Sequence, residues 1–367
     1  MFKFIRCSAL LLSLSLAACG GDSSPPSAET NVDINWQPIA NAGWDTSTAA
    51  AEALDAARLQ QAFNAAADLS PLYALLVVRN GKLVGEAYYH NQQRDNLQHL
   101  RSVTKTITML MLGKAIEQGF IQSVNQPLSD FFAAEYQNLL SDKGDITIAH
   151  LLDMSSGIEW DESTAQGYND WVQAADPIAY VLQRSVNTTP GSAFNYNSGT
   201  SHLLSYIISA ATGQTLEAYT LQQLFIPLGI SRYEWETLPD NLTNGAAGLT
   251  LSARDLAKIG LLLQQQGQWQ GQQLVSASWI MQAATVSQAF NDSLGGLTLR
   301  GYGRQWWLGQ TAQADFQLAW GYGGQFVMTL PEHNLTLVLY QNYRNTQAGQ
   351  SDRAMQLIRQ HILPAIQ

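Results

Sequence analysis

From Ile107 to Leu112 the chain reads Ile-Thr-Met-Leu-Met-Leu, the body of a helix that is apolar on nearly every side. Such a helix has no face to offer water, so the rest of the fold must be built around it. Its first turn carries the opposite chemistry: Arg101-Ser102-Val103-Thr104-Lys105-Thr106. Residues three apart share a helix face, which brings the Lys105 amine to the Ser102 hydroxyl. Burial favours the neutral amine over the ammonium, and a neutral lysine can take the proton of a serine that is otherwise a weak nucleophile. The helix start also aims backbone N–H groups at developing negative charge. By itself the tetrapeptide is equally readable as a serine N-cap with a snorkelling lysine.

Two further stretches give that pair possible company. Pro190-Gly191-Ser192-Ala193-Phe194-Asn195-Tyr196-Asn197-Ser198 precedes a second apolar helix, Leu203 to Ile208. Beside an ammonium, Tyr196 is expected to ionise more easily. As a phenolate, or as a phenol relaying through Lys105, it can activate Ser102 and then protonate a leaving group. Ala319-Trp320-Gly321-Tyr322-Gly323-Gly324-Gln325 lies on or beside a strand near the C-terminus. Glycines there let backbone approach a substrate closely. An edge N–H, that of Tyr322 or failing it Gln325, can join the Ser102 N–H as a two-donor oxyanion hole.

The chain opens with Lys3 and Arg6, then a short apolar run from Ser8 to Leu16, too short to span a bilayer. Residues 1–18 are therefore expected to be a signal peptide, followed by a flexible tether over 19–45 and a folded body over 46–367. The only cysteines are Cys7 and Cys19, so the mature chain has no disulfide and no thiolate site for a metal. The formal charge is −10, or −12 once Lys3 and Arg6 leave with the leader. An acidic chain without a basic cluster argues against nucleic acid. The six histidines, at 90, 99, 150, 202, 333 and 361, have no zinc-enzyme spacing, and neither a metal nor another cofactor is expected. There is no Gly-x-Ser-x-Gly elbow either.

Along the body, Ala50 to Ala67 reads as a helix. The runs Leu72–Val78 and Leu83–Tyr89 flank Asn80-Gly81, a strong hairpin signal. Helices are expected at 102–118, 147–154, 176–185, 199–211, 215–225, 252–266 and 276–284, with Ser252 to Asp255 reading as a capping box. Strands are expected at 301–309, 315–320, 325–330 and 335–341, and a last helix at 351–362. Strands near both ends with helices between imply one antiparallel sheet of about five strands, an α/β sandwich covered by the terminal helices. The α/β part is 46–100 and 286–367, and the inserted helical part 101–285.

Taken together, these stretches resemble the penicillin-recognising serine hydrolases: class C β-lactamases, DD-peptidases, β-lactamase-fold esterases and 6-aminohexanoate-dimer hydrolase. Ser102-Val-Thr-Lys105 matches the first motif of that group and Tyr196-Asn197-Ser198 the second. Ala319-Trp320-Gly321 falls where many members carry Lys-Thr-Gly or His-x-Gly. Ile148 to Gly157, Gly267 to Leu274 with Ser278-Trp279, and Pro331-Glu332 agree in order and spacing. The resemblance implies a β-lactamase/transpeptidase-like fold, with Ser102 as nucleophile and Lys105 and Tyr196 as the proton-transfer system. It also implies a cleft contacting substrate through Ser198, Gly321 and Gln325. Trp160, Tyr168, Trp171 and Trp320 are candidate walls, equally readable as core. Two departures stand out. Position 198 is serine rather than asparagine, and the third motif has no cation, unless Arg304 or Arg344 supplies one. Both departures resemble the esterase and amide-hydrolase branches. The expected substrate is a small ester or linear amide. The alternatives are a β-lactamase or DD-peptidase, and a non-catalytic, surface-anchored module that binds peptide or peptidoglycan. Leu16-Ala-Ala-Cys19-Gly20 resembles a bacterial lipobox, which implies a lipid anchor on Cys19 in the cell envelope, with the outer membrane suggested by the residue after the cysteine.

Overall fold

The computed structural model describes residues 33–40, 43–132 and 134–367. The expected leader, Cys19 and the tether up to residue 32 lie outside the described residues. The folded body begins at Ile34, twelve residues earlier than expected. Trp36 stacks on Phe63 at 5.2 Å and gives its indole N–H to Gln60. Thr46 bridges to Leu83.

Eight antiparallel strands form the main sheet: β1 (Leu72–Arg79), β2 (Lys82–Tyr88), β3 (Gln288–Leu294), β4 (Leu297–Tyr302), β5 (Trp307–Gln310), β6 (Asp315–Gly321), β7 (Gln325–Leu330) and β8 (Leu335–Gln341). Their spatial order is β2-β1-β8-β7-β6-β5-β4-β3. Sequence order thus breaks once, where β1 meets β8 with Leu76 opposite Val338. The Asn80-Gly81 turn joins β1 to β2 as expected, with both turn residues at positive φ. The sheet is wider than the five strands read from the sequence. The run 301–309 is two strands bent apart at Gly303 to Trp306, and β3 is a mostly exposed edge with none of the alternation that marks a strand.

Alternation in β1 and β8 assigns the two faces. Leu75, Val77, Leu337 and Leu339 pack with Leu59, Phe63, Met355 and Leu357 of the terminal helices α1 (Ala56–Ala67) and α10 (Gln350–Leu357). Leu76, Val78, Val338 and Tyr340 pack instead with the helical block. Each such aliphatic side chain contributes about 1.5–3 kcal/mol. The block comprises α2 (Thr104–Glu117), α3 (Ile148–Leu152), α4 (Ala165–Val172), α5 (Pro177–Leu182), α6 (Ser198–Thr212), α7 (Leu216–Thr220), α8 (Ala253–Gln264) and α9 (Ala277–Ala283). As its composition demands, α2 is buried along nearly its whole length. Ser252 caps α8 by accepting from the Asp255 N–H at 3.1 Å. One buried glutamine fixes α2 against its neighbours. Gln305 accepts from Thr106 with its backbone oxygen, donates to the carbonyls of Leu151 and Leu152, and accepts from Ser201.

Candidate active site

Ser102 sits in a 3₁₀ turn, Arg101–Val103, immediately before α2 rather than within it. A small sheet holds that turn: Gln98–His99 pairs with Leu249–Leu251, and Leu100 N–H donates to Leu249 at 2.8 Å. Arg101 follows with φ +51°, its N–H held by His99 Nδ1 at 3.0 Å. From the other side comes the end of β6. A side chain at Gly321 would run into the Leu100 carbonyl and crowd Arg101 Cβ and Gln325 Cβ. Glycine is therefore what lets the third motif approach the turn that carries Ser102.

Lys105 is 1% exposed. Its Nζ has three hydrogen-bond partners: Ser102 Oγ at 3.0 Å, Ser198 Oγ at 2.9 Å and the Ala246 carbonyl at 2.9 Å. Three acceptors exhaust the donors of an ammonium, yet among the described residues no carboxylate pairs with it. Burial pulls its pKa from 10.5 down to about 7, Glu162 opposes that, and Arg101 adds to it. The amine is thus available as a base near neutrality, where Ser102 is within reach.

Tyr196 places its ring 5.1 Å from Lys105 Nζ, and its hydroxyl is hydrogen-bonded to Ser102. The expected ease of ionisation is reversed. Desolvation and the Glu162 charge push the phenol well above its ordinary range, and the Ser102 hydrogen bond and Arg101 only partly offset them. Of the two forms expected of Tyr196, this environment favours the phenol over a resting phenolate. Trp307 stacks on it at 6.0 Å and 18°, which fixes the ring.

The remaining expected residues divide. The Ser198 hydroxyl faces Lys105 instead of an open cleft, and its N–H donates to Glu162 Oε2 at 3.0 Å. Its position supports a role in placing the amine. Trp160 and Trp171 are core, a correction to their reading as walls. Trp160 packs edge-on to Trp171 and Tyr180 behind Gly199, and Trp171 gives its N–H to Pro177. Trp320 packs on Trp307 at 5.4 Å with the cluster under the terminal helices, one ring away from Tyr196. Gln325 is buried and folds its amide onto the carbonyls of Gly323 and Gln341, while its backbone pairs with Gly321. It closes the turn and does not face the cleft. Tyr322 heads that turn and Tyr168 stands beside Arg101.

Sequence reading missed four contributors. Glu162 is the carboxylate whose charge acts on both Lys105 and Tyr196. Asn244 accepts from the N–H groups of Ala246 and Ala247, both at 3.0 Å, and so turns the Ala246 carbonyl toward Lys105. His202, buried against Asp240 at 2.9 Å, accepts from Gly245 N–H at 3.4 Å and steadies the same segment. Arg101 is the fourth. Its guanidinium lies over the rings of Tyr168, Tyr343 and Tyr322 at 5.1, 5.4 and 5.8 Å. The cleft therefore has a cation, but neither of the two suspected. Arg304 lies over Trp279 and bonds to Gln282, and Arg344 bonds to the Tyr343 hydroxyl.

Comparison with known proteins agrees with this geometry. Residues 59–360 match the family model described as Beta-lactamase. A 6-aminohexanoate-dimer hydrolase of Paenarthrobacter ureafaciens is 25% identical over 257 residues, which cover 64% of this chain and 63% of that protein. The chain thus spans somewhat less than two thirds of that relative. Among solved structures, a Bacillus anthracis protein assigned provisionally as a 6-aminohexanoate-dimer hydrolase superposes with a TM-score of 0.73 at 21% identity, over 92% of each chain. A family VIII carboxylesterase gives 0.65 at 18%, over 90% of this chain and 100% of its own. Penicillin-binding protein homologues are structural neighbours as well.

Proposed function

The chain belongs to the beta-lactamase family, and from that premise we propose that it is a serine hydrolase cleaving small esters or linear amides through an acyl-enzyme on Ser102. One observation carries the reading: a fully buried Lys105 hydrogen-bonded to a serine at the head of the central helix, where burial lowers the amine's pKa to about 7. In the forward step Ser102 Oγ bonds to the substrate carbonyl carbon as its proton passes to Lys105 Nζ. The C–O or C–N bond breaks, and the Tyr196 hydroxyl hands the leaving group a proton, which Lys105 replaces. Water then repeats the sequence in reverse order on the acyl ester and frees the acid. The N–H groups of Ser102 and Tyr322 are the proposed donors to the oxyanion, each of which in such a hole contributes about 2.7–4 kcal/mol.

Ester or linear-amide chemistry is supported by the names of the curated relative and of the carboxylesterase neighbour. The test compares kcat/KM for p-nitrophenyl butyrate, a linear 6-aminohexanoate dimer and nitrocefin in one buffer. The expected order places at least one of the first two above nitrocefin. Nitrocefin turnover exceeding both would replace this reading with a lactamase. We also propose that Cys19 is lipidated and anchors the protein to the envelope, most simply at the outer membrane. Cys19→Ser then moves the protein out of the membrane fraction or blocks its maturation. An unmodified mature N-terminus beginning elsewhere would remove that idea.

A further inference from the structure

Arg101 is a half-buried guanidinium without a hydrogen-bond or ion-pair partner among the described residues, and its Nε is sealed from water. Arg254 is matched by Glu86 and Arg359 by the Gly295 carbonyl; Arg79 and Arg184 each leave one buried nitrogen without a partner but hydrogen-bond through another, to the Glu52 carbonyl and the Tyr180 hydroxyl. An unpaired guanidinium in a desolvated place is costly, and so is an arginine at φ +51°. Neither is needed to hold Ser102, whose turn is already fixed by Leu100 and His99.

The surroundings favour one kind of occupant. Tyr168 comes from α4, Tyr322 from the β6–β7 turn and Tyr343 from the segment after β8, so three distant parts of the chain converge on this side chain. Ring faces attract the cation but offer nothing to N–H groups, which lie in the guanidinium plane. The two outer nitrogens of the fork are left as parallel donors on the residue that precedes Ser102, a geometry matched by a carboxylate. The Arg101 charge also reaches the reacting groups, acting on both Lys105 and Tyr196.

Resting on the reading of Ser102 as the reacting centre, we propose that Arg101 recognises a carboxylate on the substrate, so that the preferred ester or amide is an anion. The tyrosines hold the guanidinium in place. Arg344 lies over the same Tyr343 ring at 5.5 Å, so on an acidic chain two arginines gather positive charge here, as an anionic substrate requires.

The test separates binding from turnover. The intact protein is titrated calorimetrically with hexanoate and with hexanamide, and the same titrations are run on Arg101→Gln and Arg101→Lys. Hexanoate is expected to bind at least tenfold more tightly than hexanamide in the parent. That ratio is expected to fall by one to two decades in Arg101→Gln, the loss of a charge-assisted hydrogen bond, and to recover in part in Arg101→Lys. Equal binding of the two ligands to the parent overturns the proposal without touching the hydrolase reading. So does an unchanged ratio in Arg101→Gln accompanied by a shifted pH–rate profile on p-nitrophenyl butyrate, which would make Arg101 a tuner of Lys105 only. In turnover, the parent's kcat/KM for mono-p-nitrophenyl adipate relative to p-nitrophenyl butyrate is expected to fall in Arg101→Gln through a raised KM. A loss shared equally by the two esters indicates a structural role and also overturns the proposal. Failure of both esters to react refutes the hydrolase reading, and the calorimetric ratio then decides the proposal alone.

Discussion

Lys105 should be a stability defect that the protein keeps for its chemistry, and Lys105→Met exposes it. A lysine depressed from 10.5 to about 7 carries a penalty of about 5 kcal/mol in its charged form. Below pH 7 the lysine is charged in both folded and unfolded chains, and the whole penalty is present. Between pH 7 and 10.5 the unfolded chain binds the extra proton, so stability rises with pH. Above 10.5 the penalty is gone. Methionine fills the same unbranched space but forfeits three hydrogen bonds from Nζ, at about 1 kcal/mol each. At pH 6 the variant should therefore be more stable than the parent by about 2 kcal/mol. By pH 9 about 3 kcal/mol of the parent's penalty has been relieved, which leaves the variant weaker by about 1 kcal/mol. Urea denaturation of both proteins at pH 6, 7.5 and 9, followed by tryptophan fluorescence, reads this directly. Taking the difference cancels every other titrating group. A difference independent of pH, or one favouring the variant more as pH rises, would refute the claim that Lys105 is held near neutrality by burial.

Three further outcomes follow from the same site. The pH profile of kcat/KM should rise through an acid limb near pH 7 that belongs to the coupled Ser102–Lys105–Tyr196 set, and Glu162→Gln should move that limb to lower pH, because the carboxylate supports the ammonium; an upward move would contradict the assignment. Tyr196→Phe keeps the stack on Trp307 and loses only the hydroxyl, so kcat should fall by about 10²–10⁴ with the thermal midpoint nearly unchanged, and a loss under threefold would remove Tyr196 from proton transfer. Gly321→Ala forces β6 away from Leu100, and kcat should fall by about 10²–10³ with a smaller change in KM; retention of full activity would disconnect the third motif from the oxyanion hole.

The parts legible in the sequence were those encoded locally. The hairpin at Asn80-Gly81, the capped start of α8 at Ser252 and the burial of α2 are each fixed by a few adjacent residues, and observed ends of most helices lie within a few residues of expectation. The Ser102–Lys105 contact is local as well, since it needs only one helical turn. Strand β3 was invisible because Gln-Ala-Phe-Asn-Asp-Ser-Leu has a polar face on both sides and forms only by pairing with β4. Trp160 and Trp171 misled because an aromatic side chain looks the same in a wall and in a core, and only packing against Tyr180, Gly199 and Pro177 decides. Glu162, Asn244 and Arg101 carry no spacing signal at all. Glu162 and Arg101 take their meaning from partners such as Ser198 and Tyr343, 36 and 242 positions away, and Asn244 from the Ala246 carbonyl it turns toward the distant Lys105. Tyr196 was misjudged because proximity to an ammonium is readable in a motif, whereas the desolvation that outweighs it is not.

The central claim is that Ser102 is a nucleophile activated by a lysine that is neutral near pH 7. It is tested most directly by treating the intact protein with a fluorophosphonate and locating the adduct by mass spectrometry across pH. The account predicts one adduct per chain, on the peptide containing Ser102, forming at a rate that rises through pH 7 and disappears in Lys105→Met. No adduct, an adduct on another serine, or labelling of Ser102 at a rate indifferent to pH and to Lys105 would contradict it.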